Sequence, residues 1–175
     1  MIRFSIDQAG FDNKLKLGTI NPFAGWARTR DPSHPITHVD CSVRGVLLSR
    51  LPIRQERPDL RQAFGDDLYG FAGVVRLDEG LAGEVLRLEA VADDGSRFLM
   101  QEYPLSDVER VTEEEREYRR QHRLPDDLLM HLVVHSADPG AFLQYGKRAA
   151  QLVLDVLDAH GVRGQVRRVL DFGVG

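Results

Sequence analysis

The chain has 175 residues, of which 42% are hydrophobic and 29% are charged, and its formal net charge is -4. This composition excludes intrinsic disorder, a collagen-like repeat and a disulfide-dense mini-protein, and the length suits one ordinary domain or one small domain with part of a second. Because the net charge is negative and no basic block stands out, nucleic acid is not expected as a partner.

Two further features bear on the compartment. No apolar run approaches the roughly 18 residues that a membrane-spanning helix needs, and the N-terminus lacks the pattern of a signal peptide, so neither a membrane span nor export is expected. Cys41 is the single cysteine and lies in a strand-like stretch, which indicates a buried small hydrophobe in a reducing compartment. The sequence therefore predicts a cytoplasmic protein.

Residues 1–105 predict a β-sandwich made of short strands separated by turns. Alternation of apolar and polar residues is clearest over Val85–Ala92. One short helix interrupts the strands, because Pro58 suits an early helical position and Gly65 suits a helix end. The predicted strands cover residues 1–6, 15–20, 25–28, 37–44, 46–49, 71–77, 85–92 and 98–101.

Residues 106–137 predict a helical connector. Thr112 begins a capping box that Glu115 completes, and the helix that follows has few apolar residues, so it should be mostly solvated. Residues 128–134 are more typical of a strand. A helix would instead place His131 and His135 on one face as two metal ligands, but two ligands are fewer than a zinc site needs, and no metal is predicted.

Residues 138–175 predict a helix followed by a strand and a glycine turn. Asp138 can cap a helix over residues 139–160. The apolar residues of this helix recur at helical spacing, so they form a face that is expected to pack against another surface. A strand over residues 166–171 then ends at Asp171 and runs into Gly173 and Gly175. Alternating glycines after a strand let the backbone turn sharply and approach a nucleotide-like ligand.

The run LDFGVG over residues 170–175 resembles the first motif of bacterial class I S-adenosylmethionine-dependent methyltransferases. Asp171, Gly173 and Gly175 match three of its four defining positions, and the fourth glycine would lie two residues beyond Gly175. The preceding helix also resembles the one that leads into this motif. The resemblance implies that these three residues contact S-adenosylmethionine, with Tyr145 and Lys147 near its pocket.

The expected architecture is thus mainly β with C-terminal helices: a β-sandwich accessory domain, a helical connector and the first strand of an incomplete Rossmann-like α/β domain. Without the remaining strands of such a domain, these 175 residues should be catalytically silent. An ordinary strand with a glycine turn is the alternative for the last segment.

The N-terminal region also resembles β-sandwich modules attached to bacterial glycosyltransferases and methyltransferases of surface-polysaccharide assembly. The resemblance lies in Trp26, in the run RPDL at residues 57–60 and in the run YGF at residues 69–71, and it implies a small-molecule or glycan acceptor. Trp26 can stack on a sugar ring, although a lone tryptophan in a sandwich is more often a core residue. The alternative function is therefore a non-enzymatic carbohydrate-binding or protein-interaction module.

Overall fold

A computed structural model describes residues 1–65, 68–125, 127–134 and 138–165. Over these residues the chain is mainly β, with the longer helices at the C-terminal end. The strands are β1 Ile2–Ala9, β2 Lys16–Leu17, β3 Thr19–Thr29, β4 Ile36–Val43, β5 Val46–Glu56, β6 Leu68–Leu77, β7 Val85–Ala92, β8 Arg97–Pro104 and β9 Glu109–Arg110. The α-helices are α1 Pro58–Phe64, α2 Glu113–Gln121, α3 Asp127–Val134 and α4 Pro139–Ala159.

Seven of the strands form one antiparallel sheet in the order β1-β3-β6-β5-β4-β7-β8. The sequence predicts a sandwich, and the structure has a single sheet that curls until it is nearly closed. The strand β3, next to the β1 edge, approaches the opposite edge strand β8: the rings of Phe23 and Tyr103 lie 6.0 Å apart. We call this unit the curled sheet.

The core fills the inside of the curled sheet. Successive side chains of a strand point to opposite faces, so alternate residues of β4 and β7 are fully or almost fully buried. Phe23 and Phe71 are the largest of the fully buried side chains. The core residues of β4 and β7 are Ile36, Val39, Cys41, Val43, Leu86, Leu88, Ala90 and Ala92.

The strand β3 is longer than the sequence predicts. Residues 15–20 and 25–28 are two predicted strands, whereas the structure has β2 and then an unbroken β3 that runs through Pro22. The carbonyl of Pro22 accepts the Gly10 N–H at 2.7 Å, just beyond the end of β1. The N–H and C=O of one residue point to the same side of a strand, so the N–H that proline lacks would also point towards β1. The pairing of β3 with β1 ends at Phe23, so β3 loses no ladder hydrogen bond at Pro22.

Helix ends follow the predicted chemistry. Gly65 ends α1 in the left-handed conformation, and the Asp138 carboxylate accepts the first N–H groups of α4. The Thr112 hydroxyl accepts the Glu115 N–H at the start of α2. The capping box is only half formed, however, because the Glu115 carboxylate bonds Lys16 at 2.7 Å and so fastens α2 to the curled sheet.

The prediction of a strand over residues 128–134 is wrong, because Asp127–Val134 is the helix α3. Short apolar runs do not by themselves distinguish a strand from a buried helix. This helix packs on β3 and α4 and buries Met130 completely, while the ring of His131 lies 5.5 Å from that of Phe11. The segment therefore packs on the sheet through Met130 as a helix instead of joining the sheet as a strand.

The helix α4 has an exposed apolar face. Tyr145, Leu152 and Val156 recur at helical spacing and are 56%, 66% and 58% exposed. The predicted strand at 166–171, and with it the Rossmann-like part of the predicted fold, lies outside the described residues. Among the helices of the described segments, none is both long and apolar enough to cross a membrane.

The buried Cys41 gives a test of the inward register of β4. Burial, with the Asp40 charge beside it, raises the pKa of the Cys41 thiol to about 12. We expect alkylation by iodoacetamide at mildly alkaline pH to be about a thousandfold slower in the native chain than in urea, because little thiolate is present. The Cys41→Ser variant provides the blank, and rapid labelling of the native chain would contradict this register.

Candidate ligand site

The residues implied by the methyltransferase resemblance are only partly described. Asp171, Gly173 and Gly175 lie outside the described residues. Tyr145 and Lys147 both project from α4 and are exposed. Two positions correspond to about 200° around a helix axis, so these two side chains point to opposite sides and do not converge.

The histidines do not form a buried metal centre in the described part of the chain. His131 packs on Phe11, and His135 lies outside the described residues. The possible ligand atoms of His34, Asp93 and Asp94 lie within 4.8 Å of one another, but all three residues are exposed. The hydrogen bond to Asp93, at 3.1 Å, raises the pKa of His34. The exposed ion pair that results is sufficient to explain this arrangement.

The expectation that Trp26 is a core residue is wrong. Gly25 and Ala27 are buried, so the side chain of Trp26 projects from the opposite face of β3. Its half-buried ring lies 5.5 Å from the ring of Phe64 on α1. Because small residues flank Trp26 on both sides, the local sequence does not show which face of the strand points inward.

Two adjoining cavities open at one end of the curled sheet, and Arg28 and Thr29 line both of them. The larger cavity has a volume of about 470 Å³ and extends over the apolar side chains of Ile36 and Ile53. The smaller cavity has a volume of about 370 Å³ and is otherwise lined by Arg3, Arg30 and Phe64. We call them the apolar cavity and the cationic cavity.

Aromatic rings hold Arg28 between the two cavities. Its guanidinium carbon lies 4.8 Å from the centroid of the Phe64 ring and 5.1 Å from that of the Tyr69 ring. The two rings meet edge to face at 6.0 Å, and Tyr69 also lines the apolar cavity. Each cation–π contact is worth about 0.5–2 kcal/mol, so the rings fix the position of the charge.

The cations at the cavities differ from most arginines of the chain. Among the described residues, Arg3, Arg28 and Arg30 have no carboxylate partner. Most of the other described arginines are paired, for example Arg57 with Asp59 at 2.8 Å and Arg163 with Asp158 at 2.6 Å. The cavities therefore combine positive charge with low local compensation, in a chain whose net charge is negative.

A separate ionic cluster lies on the outer face of β4. Asp40 is 3% exposed, and its carboxylate accepts hydrogen bonds from Arg50 at 2.9 Å and from Arg97 at 2.9 Å. Desolvation would raise the pKa of Asp40, but these hydrogen bonds outweigh it and lower the pKa. His38 Nε2 lies 3.4 Å from Asp40 Oδ1. Arg97 also pairs with Glu89 at 3.2 Å, so the two arginines are matched by two carboxylates, which gives the cluster a structural role.

Sequence reasoning missed Arg28, Phe64 and Tyr69 as site residues. Trp26 and Arg28 are two residues apart on a strand and so lie on the same face. This spacing is the only local feature of the sequence that places Arg28 beside a candidate site residue. Arg57, which the sequence places at a helix start, pairs with Asp7 and Asp59. The contact of Phe64 with Arg28 depends on how α1 folds back on β3, and no local pattern encodes that.

The fold and the site together define a mainly β unit with a nearly closed sheet, a cationic cavity at one end and a helical extension. No protein-family model, curated protein or solved structure matches the chain.

The pH dependence of stability tests the environment of His38. Burial lowers the pKa of His38, and the charges of Arg50 and Arg97 act in the same direction, while Asp40 opposes them. The folded chain therefore favours neutral His38. This stabilisation is complete above about pH 6.5, the pKa of free imidazole, and is lost as the pH falls through the lower folded pKa.

We expect the free energy of unfolding in urea to fall more steeply for the wild type than for His38→Gln between about pH 7 and about pH 5. The exposed His34 titrates in the opposite sense, but it is present in both proteins and cancels in the difference. His160→Gln, which changes an exposed histidine after α4, serves as the control. Parallel curves for the wild type and His38→Gln would contradict the burial argument.

Proposed function

We propose that the chain is the N-terminal part of an S-adenosylmethionine-dependent methyltransferase. The observation that carries the proposal is the run LDFGVG at residues 170–175, which follows α4 closely. The curled sheet would be an accessory domain, and α4 would open the cofactor-binding domain. Glycan modification is the proposed setting, and the 175 residues alone would be inactive.

The geometry of α4 supports this proposal. The helix has 21 residues, begins at a well-formed Asp138 cap and leaves its apolar face uncovered by the curled sheet. In α/β domains, helices of this kind cover a parallel sheet. Tyr145 lies on that apolar face with Leu152 and Val156, while Lys147 points away, so at most one of Tyr145 and Lys147 would face the cofactor.

The cofactor would supply the methyl group from its sulfonium. This chain's own part would be to bind and orient: the turn at Gly173 and Gly175 would allow close approach of the backbone, and the Asp171 carboxylate would accept hydrogen bonds from the ligand. Methyl transfer then depends mainly on how the acceptor is positioned relative to the methyl group.

The test is calorimetric titration of S-adenosylmethionine into the natural-length protein that contains this sequence. We expect saturable binding that Asp171→Asn weakens by about tenfold or more, because a charge-assisted hydrogen bond is lost. Asp155→Asn removes the same charge from an exposed position on α4 and should have no effect. A folded natural-length protein without detectable binding would refute the proposal.

A non-enzymatic glycan-binding module is the second candidate. The half-buried ring of Trp26 and its neighbour Phe64 form an aromatic surface outside the core, as recognition of the C–H face of a sugar requires.

Under this second function, a panel of bacterial polysaccharides should include one that binds the chain saturably. Trp26→Ala should abolish that binding while the circular dichroism spectrum stays unchanged, and Trp26→Phe should retain part of it. Leu99→Ala, at an exposed apolar position on β8, is the matched control. Absence of binding across the panel would leave the curled sheet a purely architectural role.

A further inference from the structure

We propose that the two cavities at the end of the curled sheet bind a small organic anion: an oxyanion group held by Arg28, joined to a compact body with a C–H surface, as in a sugar acid or a sugar phosphate. The inference is independent of methyl transfer. It is also independent of stacking on Trp26, which lines neither cavity.

The cationic cavity accounts for the oxyanion. Arg3 on β1 and Arg28 and Arg30 at the end of β3 reach it together, and no described carboxylate is paired with any of them. Like charges brought together repel one another, and an anion between them relieves that repulsion. Arginine also presents a planar fork of N–H donors that fits a carboxylate or a phosphate through two hydrogen bonds.

Arg28 is preorganised for this role. The rings of Phe64 and Tyr69 hold its guanidinium at 4.8 and 5.1 Å, measured from the guanidinium carbon to each ring centroid. A side chain already fixed in this way loses little rotamer freedom when a ligand binds, and that loss is a main cost of binding. Aromatic faces also take no N–H donor away in a conventional hydrogen bond, so the donors remain available to an anion.

The apolar cavity accounts for the body of the ligand. Pro35, Ile36 and Ile53 offer C–H surface, and a volume of about 470 Å³ is within the range of small-molecule sites. Thr29 lines both cavities, and its hydroxyl oxygen accepts the Asp31 N–H at 3.1 Å, which leaves the hydroxyl hydrogen to donate to a ligand. An apolar wall next to a few polar groups suits a sugar ring.

A second arginine-rich cavity in the described part of the chain shows the contrast. It lies between the curled sheet and α2 and has a volume of about 450 Å³. There Arg119 and Arg120 are already paired with Glu115 at 3.1 Å and with Glu113 at 2.7 Å. An anion would have to displace carboxylates to reach Arg119 or Arg120, and of the arginines that line this cavity only Arg123 has no described carboxylate partner, whereas all three arginines of the cationic cavity have none.

The experiment is isothermal titration of the 175-residue chain at low ionic strength with four probes: glucuronate, glucose 6-phosphate, inorganic phosphate and neutral methyl glucoside. We expect saturable binding of glucuronate or glucose 6-phosphate, weaker binding of phosphate and none of methyl glucoside. The first two probes distinguish a carboxylate from a phosphate as the preferred oxyanion. Phosphate binding as tightly as the best sugar anion would overturn the role of the apolar cavity.

The variants test the cationic cavity. Arg28→Gln should weaken binding of the best probe by about tenfold to a hundredfold, and Arg28→Lys should restore only part, because lysine keeps the charge but lacks the fork. The double variant Arg3→Gln/Arg30→Gln changes only exposed side chains, so it should fold normally and still weaken binding several-fold. Arg148→Gln removes one exposed arginine from α4 and should leave affinity unchanged.

Two results would overturn the inference. One is the absence of saturable binding of every anion to the folded chain. The other is binding that persists unchanged in both Arg28→Gln and the Arg3→Gln/Arg30→Gln double variant. Neither result bears on S-adenosylmethionine binding through Asp171, so failure here and failure of the methyltransferase proposal are distinguishable.

Discussion

The strand β5 is the constraint on which the rest of the fold depends. It pairs with β4 along one edge and with β6 along the other, and its register shifts at Ile53 and Gln55. Bulges of this kind bend a strand and increase its twist, which lets one sheet curl. The strand β5 joins the group β1-β3-β6 to the group β4-β7-β8. Because the sheet bends at β5, the inward faces of β3 and β8 meet and a single core forms.

The same curl creates the cavities. Ile36 at the start of β4, Ile53 on β5 and Tyr69 on β6 come from successive strands of the sheet order, and they meet the end of β3 at one opening. Close packing between neighbouring strands accompanies this curvature: a Cβ atom at Gly73 on β6 would lie 2.6 Å from Cδ2 of Leu51 on β5. Closure of the sheet and formation of the cavities therefore have one physical cause.

The sequence predicts those features that local chemistry decides. Period-two alternation predicts β7 to the residue, and Thr112, Asp138 and Gly65 mark helix ends where the structure has them. The failures have long-range causes. The unbroken β3, the outward face of Trp26 and the helix α3 all depend on which surface each segment meets, and no window of sequence contains that partner.

The two candidate sites differ in the same way: one is contiguous in sequence and the other is assembled by the fold. The glycine motif at Asp171 can be found from sequence, because it is contiguous and each residue type has a backbone reason. The cationic cavity cannot, since Arg3 and Arg28 are 25 residues apart in sequence and the ring of Phe64 reaches Arg28 only after α1 folds back on β3.

Two groups of arginines on the curled sheet show how this protein uses charge in opposite ways. Arg50 and Arg97 neutralise the nearly buried Asp40, because an uncompensated buried carboxylate would be strongly destabilising. Arg28 instead receives aromatic faces, which stabilise a cation without neutralising it. A carboxylate partner would compete with a ligand for the N–H donors of Arg28, whereas aromatic faces leave these donors available. The retained charge at the mouth of two cavities is therefore the feature of this structure that most directly indicates an external anion.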